Sequence, residues 1–191
     1  MGFFLRTERM ALRPFTADDT DRLVDLDSDP EVMRYINGGR PTPRDAVRTV
    51  QLPRLLHRHP CTGTRGFWAA ETRDTQTFLG WFELRPLDDD SPAVVELGYR
   101  LRRAAWGHGY ATEGSRALIR EGFTELGVER VTASTMAVNA GSRRVMEKSG
   151  LAYVRTYFED WPETIPGSEH GEVEYALTKS GWEERMSRRT G

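Results

Sequence analysis

Cysteine is nearly missing from this chain. Cys61 is the only one, so an internal disulfide is excluded and a reducing compartment suits the composition. Long apolar runs are missing too; none approaches the ~20 residues that a membrane-crossing helix needs. There is no excess of one charge: the formal net charge is −2, which excludes a global positive field that would recruit nucleic acid or an acidic membrane. Repeats, low-complexity tracts and linker-like stretches are absent. Met1–Arg6 has no signal-type apolar core, and Arg6 stands where a myristoylation pattern wants Ser or Thr, so the expected location is cytoplasmic. What is present is a 191-residue chain, 38% hydrophobic and 29% charged, which suits one domain with an ordinary core.

The pattern along the chain is mixed. Met10–Pro14 alternates as a short strand and stops at proline. Thr16 is placed as an N-cap with Asp18 and Asp19 behind it, and Asp29-Pro30-Glu31 restarts a second helix that ends at Gly38-Gly39. Thr42 is expected to cap a third helix running from Pro43 to about His57, with Pro53 as its weak point. Phe67–Glu71 and Phe78–Leu84 read as a hairpin, Asp88–Pro92 as a solvated turn rather than a metal site, and Val94–Leu101 as another strand. Then come a helix over Ala111–Leu126, a strand over Val131–Val138 and a short helix over Ser142–Ser149 closed by Gly150. Two strands, Leu151–Phe158 and Glu172–Leu177, finish the pattern. The expected fold class is α+β, a single domain over 1–191 whose mixed, mainly antiparallel sheet is flanked by helices.

One segment carries chemistry. The strand containing Glu96, Tyr99 and Leu101 runs into Trp106-Gly107-His108-Gly109 and opens directly into a helix at Tyr110-Ala111-Thr112. Free N–H groups and the dipole at a helix start favour anions, and glycines let the backbone approach a pyrophosphate closely. A P-loop would need Lys after its last glycine, whereas Ser115 follows Gly114; a dinucleotide fingerprint would want Gly or Ala at Thr112. A tight turn without a ligand is the plain alternative for an isolated Gly-x-Gly.

The wider pattern resembles the acetyl-CoA signature of the GNAT superfamily, [Q/R]-x-x-G-x-[G/A], here Trp106-Gly107-His108-Gly109-Tyr110-Ala111 with Trp at the Gln/Arg position. The run Trp106–Glu113 resembles the W-G-x-G-Y-A-T-E of the ribosomal-protein alanine N-acetyltransferase branch, as do Leu12-Arg13-Pro14, Asp29–Tyr35, Asn139–Leu151 and Glu174–Leu177. The resemblance implies acetyl-CoA as co-substrate. Backbone groups of Tyr99 and Leu101 would pair with its pantetheine arm, the turn from Trp106 through Gly107, His108, Gly109, Tyr110 and Ala111 to Thr112 would hold its pyrophosphate, and Asn139 and Ser142 would lie near the arm and the sulfur.

The implied reaction is direct transfer of acetyl to a primary amine, either a protein N-terminus or a small amine such as a polyamine or aminoglycoside. A CoA-binding sensor without catalysis is the alternative. Met146 stands where many members carry a proton-donating Tyr, which leaves Ser142 as the candidate acid; Ser142 is equally suited to cap its helix. Glu96 and Glu159, with Asp160 beside Glu159, are the candidate bases, each with a solvated-surface alternative. Acidic Glu159, Asp160, Glu163 and Glu169 suggest a cationic acceptor. His57, His59 and Cys61 are read as exposed non-ligands, since no fourth ligand follows at finger-like spacing, so no metal is expected. The expected partners are acetyl-CoA and an amine, with no membrane or nucleic acid; a homodimer is left open.

Overall fold

A computed structural model describes residues 2–159 and 164–190. Asp160 and Glu163 lie outside the described residues. Eight strands form one sheet in the order β1-β2-β3-β4-β5-β6-β8-β7. They are β1 (Leu5–Arg6), β2 (Met10–Arg13), β3 (Phe67–Thr72), β4 (Phe78–Asp88), β5 (Ser91–Leu101), β6 (Arg130–Met136), β7 (Ala152–Tyr157) and β8 (Glu172–Thr178). Every neighbouring pair is antiparallel except β5–β6. The α+β class and the mainly antiparallel sheet expected from the sequence are what is found. The strand order was not legible: β8 inserts between β6 and β7 although β7 comes first in the chain.

Alternation along the strands builds two cores. Trp68, Phe82, Leu84, Val95, Leu97 and Leu101 face the helices α5 (Tyr110–Glu125) and α6 (Ala140–Ser149). Phe67, Ala69 and Trp81 face the other way, against α1 (Thr20–Ser28), α2 (Pro30–Asn37) and the segment after them. A last helix, α7 (Lys179–Thr190), puts Trp182 against Phe123 of α5. No helix among the described residues is long and apolar enough to cross a membrane.

The entry into α1 follows the sequence closely. The Thr16 backbone N–H donates to Asp19 Oδ2 at 2.9 Å over a 3-10 turn, Ala17–Asp19. Asp19 also accepts a two-point contact from Arg13 at 2.8 and 2.7 Å, and Arg13 reaches Glu71 at 2.7 Å. Burial opposes the charge on Asp19, but the Arg13 guanidinium outweighs it and holds the carboxyl below its usual value. At its other end α1 offers Asp27 to Arg100 of β5 at 2.7 and 2.8 Å. Buried charges persist only when paired in this way, so these two contacts fix α1 across the sheet.

Two expectations need correcting. The third helix is α3 (Arg44–Ala46), a π-helical turn (Val47–Gln51) and α4 (Leu52–Leu56), and Pro43 rather than Thr42 stands at its N-cap. The π turn falls directly before Pro53, whose missing N–H and bulky ring exclude a regular helical bond there. The turn assigned to Asp88–Pro92 is shorter, because Ser91 and Pro92 already belong to β5.

Gly114 shows how tightly α5 is seated. A Cβ at this position would lie 2.3, 2.5 and 2.9 Å from ring atoms of buried Phe82. Gly114→Val should therefore destabilise the fold by about 1–3 kcal/mol through overpacking. Thermal or urea unfolding measures this, and an unchanged midpoint would show that α5 does not rest on Phe82.

Candidate active site

The site begins with a gap in the sheet. β5 and β6 pair only from Val94↔Arg130 to Glu96↔Thr132, after which β5 continues to Leu101 with β4 as its sole strand partner among the described residues. From the β6 side, Glu129 N–H donates to Ala93 O at 2.9 Å and the Thr132 hydroxyl to Val95 O at 3.0 Å. Two-residue alternation then puts the N–H and C=O groups of Leu97, Tyr99 and Leu101 on the same open edge. Such a row is a template for an extended ligand with amides of its own, since β-type pairing satisfies groups that otherwise need water. Tyr99 and Leu101, the residues that the resemblance assigned to the pantetheine arm, have their backbone groups on this open edge. One group is already engaged: the Trp106 indole N–H donates to Leu101 O at 2.9 Å. The tryptophan that replaces Gln or Arg in the signature therefore closes the turn after β5.

Beyond Leu101 the chain reaches the glycine turn. Gly107 has φ +77 and Gly109 φ +82, the left-handed region, and Gly109 is the N-cap of α5. A Cβ on Gly107 would meet nothing within 4 Å, so the turn faces open space where a phosphate can approach. Trp106, Gly107, His108 and Gly109 are exposed, and Tyr110, Ala111 and Thr112 are half-buried. Arg9, in the β1–β2 turn, braces the assembly. Its side chain donates to His108 O at 2.8 Å and to Glu113 Oε2 at 2.7 Å, and its guanidinium lies 4.5 Å from the centre of the Tyr110 ring. Sequence reading missed Arg9, which lies far upstream and has no motif of its own.

At the start of α6 the structure separates roles that the sequence left merged. Asn139 is the N-cap: its Oδ1 accepts from Ser142 N–H at 3.2 Å, and its Nδ2 donates to Thr135 Oγ1 at 3.1 Å. Ser142 is therefore not the cap, and its hydroxyl is free for another partner. That partner is Tyr99, whose phenol oxygen lies 2.9 Å from Ser142 Oγ and 3.1 Å from Ser142 O. Burial pushes the Tyr99 phenol up to about 12, with the Ser142 contact opposing only part of the rise, so the phenol stays protonated. Met146 is buried in the α5–α6 core and offers no proton.

Carboxylates gather on the opposite face of the sheet. Alternation from the core residues Leu84, Leu97 and Tyr175 turns Glu83, Glu96 and Glu172 toward the α1–α2 side. Glu96, a candidate base, is ion-paired with Arg85. Glu83 also meets Arg85, at 2.8 Å, and Arg54 at 3.5 Å; its Oε2 occupies the space that a Cβ on Gly98 would enter. Burial, then the charge of Glu96, raises the Glu83 carboxyl above its ordinary value. Glu159, the other candidate, is exposed.

Glu172 was not singled out in the sequence. It is 9% exposed, and burial followed by the charge of Glu159 pushes its carboxyl up to about 7. Continuing the β5–β6 register brings Met136 level with Arg100, and Met136 pairs with Glu172. Glu172 therefore lies across the opening from Arg100. The end of α2 meets the loop that leads into Glu172: a Cβ on Gly38 would stand 3.2 Å from Ile165 Cγ2. The only signal for Glu172 in the sequence was a carboxylate at the start of the last strand, which says nothing of burial.

The family model of the GNAT acetyltransferase domain matches residues 9–152. A relative from Aspergillus fumigatus, named FsC-acetyl coenzyme A-N(2)-transacetylase, is 35% identical over 184 residues, covering 93% of this chain and 77% of its own. The chain is similar in fold to a Vibrio cholerae spermidine N-acetyltransferase solved with CoA and spermine, at TM-score 0.74 and 14% identity, over 91% of this chain and 97% of that one. It is similar also to a ribosomal L7/L12 alpha-N-protein acetyltransferase in complex with coenzyme A, at TM-score 0.74 and 16% identity, over 93% of this chain and 98% of that one. At such identity the last likeness shows the fold and not the branch suggested by the Trp106–Glu113 run. With the open edge of β5, the glycine turn and the family match together, the chain belongs to the GNAT family of acetyltransferases.

Proposed function

We propose that this enzyme, working in the cytoplasm, moves the acetyl group of acetyl-CoA to a primary amine directly within a ternary complex. The observation that carries the reading is the open β5 edge, with the Tyr99–Ser142 hydroxyl pair on one face and Glu172 on the other. Backbone groups of Tyr99 and Leu101 hold the pantetheine arm, with Asn139 fixing the end of β6 beside it. N–H groups from Gly107 to Thr112 hold the pyrophosphate. The amine enters from the α1–α2 side, where Glu172, Glu159 and Glu169 favour a cation. The names of relatives acting on spermidine and in N(2)-transacetylation agree with an amine acceptor.

An alkyl ammonium must lose a proton before its nitrogen can attack. Glu172, titrating near 7, is suited to accept that proton, whereas Glu96 is neutralised by Arg85. The nitrogen attacks the thioester carbon, and a backbone N–H near Gly98–Arg100 stabilises the oxyanion. Collapse expels the CoA thiolate, which takes a proton from Ser142, itself hydrogen-bonded to Tyr99, and the surplus proton left on the new amide nitrogen restores the Ser142 hydroxyl. No covalent enzyme intermediate and no metal enters this scheme.

Acetyl-CoA should raise the melting temperature of the native protein by mass action. Gly109→Val forces a β-branched residue to φ +82 and should abolish that rise. A rise of full size in the variant, followed by differential scanning fluorimetry, would contradict the pyrophosphate assignment.

Ser142→Ala and Tyr99→Phe should each slow turnover at saturating substrates on the order of 10²-fold, with little change in acetyl-CoA affinity. If the two hydroxyls act as one unit, the double variant is no slower than the slower single variant. Additive losses would show independent roles.

For the wild type, kcat/KM for the amine should rise with pH through about 7 as Glu172 ionises. Glu172→Gln should lower it on the order of 10²-fold and remove that limb. A persisting limb would transfer the base role to Glu83. Stability provides a separate check. The folded pKa of Glu172 lies above its ordinary 4.5, so the folded state binds more protons, and stability falls as pH rises from about 4.5 to about 7. Glu172→Gln should flatten that decline.

A further inference from the structure

Away from the acetyl-transfer site, the loop after α4 and the β4–β5 turn bring together residues that are distant in sequence. One ring nitrogen each of His57 and His59 and a carboxylate oxygen of Asp89 lie within 4.8 Å of one another. His59 Nδ1 is 2.6 Å from Asp89 Oδ1, and His57 Nε2 is 3.9 Å from Asp89 Oδ2. The two imidazole rings meet edge to face, with centroids 4.8 Å apart. Among the described residues no Lys or Arg is ion-paired with Asp89, although the Arg85 charge acts on it from further away.

His59 is built into the fold. It is 5% exposed, its N–H donates to Thr64 O at 2.8 Å, and its carbonyl accepts from Gly63 N–H at 2.9 Å. Gly66 makes room for the ring: a Cβ there would lie 3.2 Å from His59 Cδ2. Its Nδ1 faces Asp89, while its Nε2, on the other side of the ring, is buried with no hydrogen-bond partner among the described residues. His57 and Asp89, by contrast, are exposed and can turn toward a common centre.

We propose that His57, His59 and Asp89 bind one zinc-like divalent ion at a structural site separate from the acetyl-transfer site. Two borderline imidazoles and one hard carboxylate form a ligand set found on such ions, with water completing a tetrahedron. Ligand atoms about 2.0–2.1 Å from a tetrahedral ion stand about 3.3 Å from one another. The present spacings, 2.6 to 4.8 Å, reach that value by small rotations of the two exposed side chains. Cys61, whose Sγ lies 3.7 Å from Asp88 O, is outside the ligand set.

Its position assigns a role. Eight strand residues separate Ser91, just after the turn, from Tyr99, roughly 26 Å at the usual rise. The ion would therefore take no part in acetyl transfer. It would tie the C-terminal end of α4 to the β4–β5 turn, and α4 carries Arg54, which reaches Glu83 at 3.5 Å. The sequence concealed the site because Asp89 is supplied by tertiary contact and not by spacing.

The test uses tag-free, chelator-treated full-length protein. Isothermal titration with Zn2+ should show one ion per chain, Co2+ should give the absorption of a four-coordinate centre, and Zn2+ should raise the melting temperature. His57→Ala and Asp89→Asn, both at exposed positions, should each weaken Zn2+ binding at least about tenfold and remove the thermal shift. The shift caused by acetyl-CoA should persist in both variants. Zn2+ binding below one ion per two chains would overturn the proposal, and so would equal affinity in the His57→Ala/Asp89→Asn double variant. In either case His59–Asp89 is only a hydrogen-bonded pair.

Discussion

The parting of β5 from β6 after Glu96 is the constraint on which the rest of the structure depends. A buried strand edge with unmade hydrogen bonds costs about 1–3 kcal/mol for each unsatisfied group, so a sheet does not keep such an opening without water or a ligand to fill it. Here the opening is held from both ends. Trp106 and Arg9 fasten the turn at the end of β5, and Asn139 caps α6 at the end of β6. The Tyr99–Ser142 contact spans from one strand to the helix that follows the other. Pairing of β6 with β8 along its whole length keeps β6 itself rigid while its other edge stays open.

The opening also divides the chemistry between two faces. One face holds the Tyr99 phenol, pushed up to about 12 by burial, and the Ser142 hydroxyl, beside the starts of α5 and α6. The other holds carboxylates whose properties differ with their neighbours. Glu96 is matched by Arg85, Glu83 is crowded by Arg85 and Arg54 as well as by Glu96, and Glu172 has no ion-paired cation among the described residues but has Glu159. A carboxylate left without a cation in a buried place is the one whose proton is exchanged near neutral pH. Residue type alone would rank the three equally.

The fold was largely legible because its signals are local. Thr16 with Asp19, Asp29-Pro30, Gly38 and Gly150 each act within a few residues, and each helix boundary they mark is found. Around Pro53 the local signal was correct in kind: the proline does disturb the helix, as a π turn and not as a break. The glycine turn was legible for the same reason, since the left-handed conformation of Gly107 and Gly109 is a property of the turn itself.

The sequence by itself determined most of the elements, the glycine turn before α5 and the absence of any internal disulfide, because propensity, capping and backbone conformation depend on neighbours along the chain. Only the tertiary structure decided which side chains meet. Arg9 under the turn, Tyr99 against Ser142, Glu172 across the opening and Asp89 beside two histidines are all products of strand order and register. Register depends on the summed packing of both sheet faces and not on any short run of residues, so pairs brought together by it leave no spacing to read.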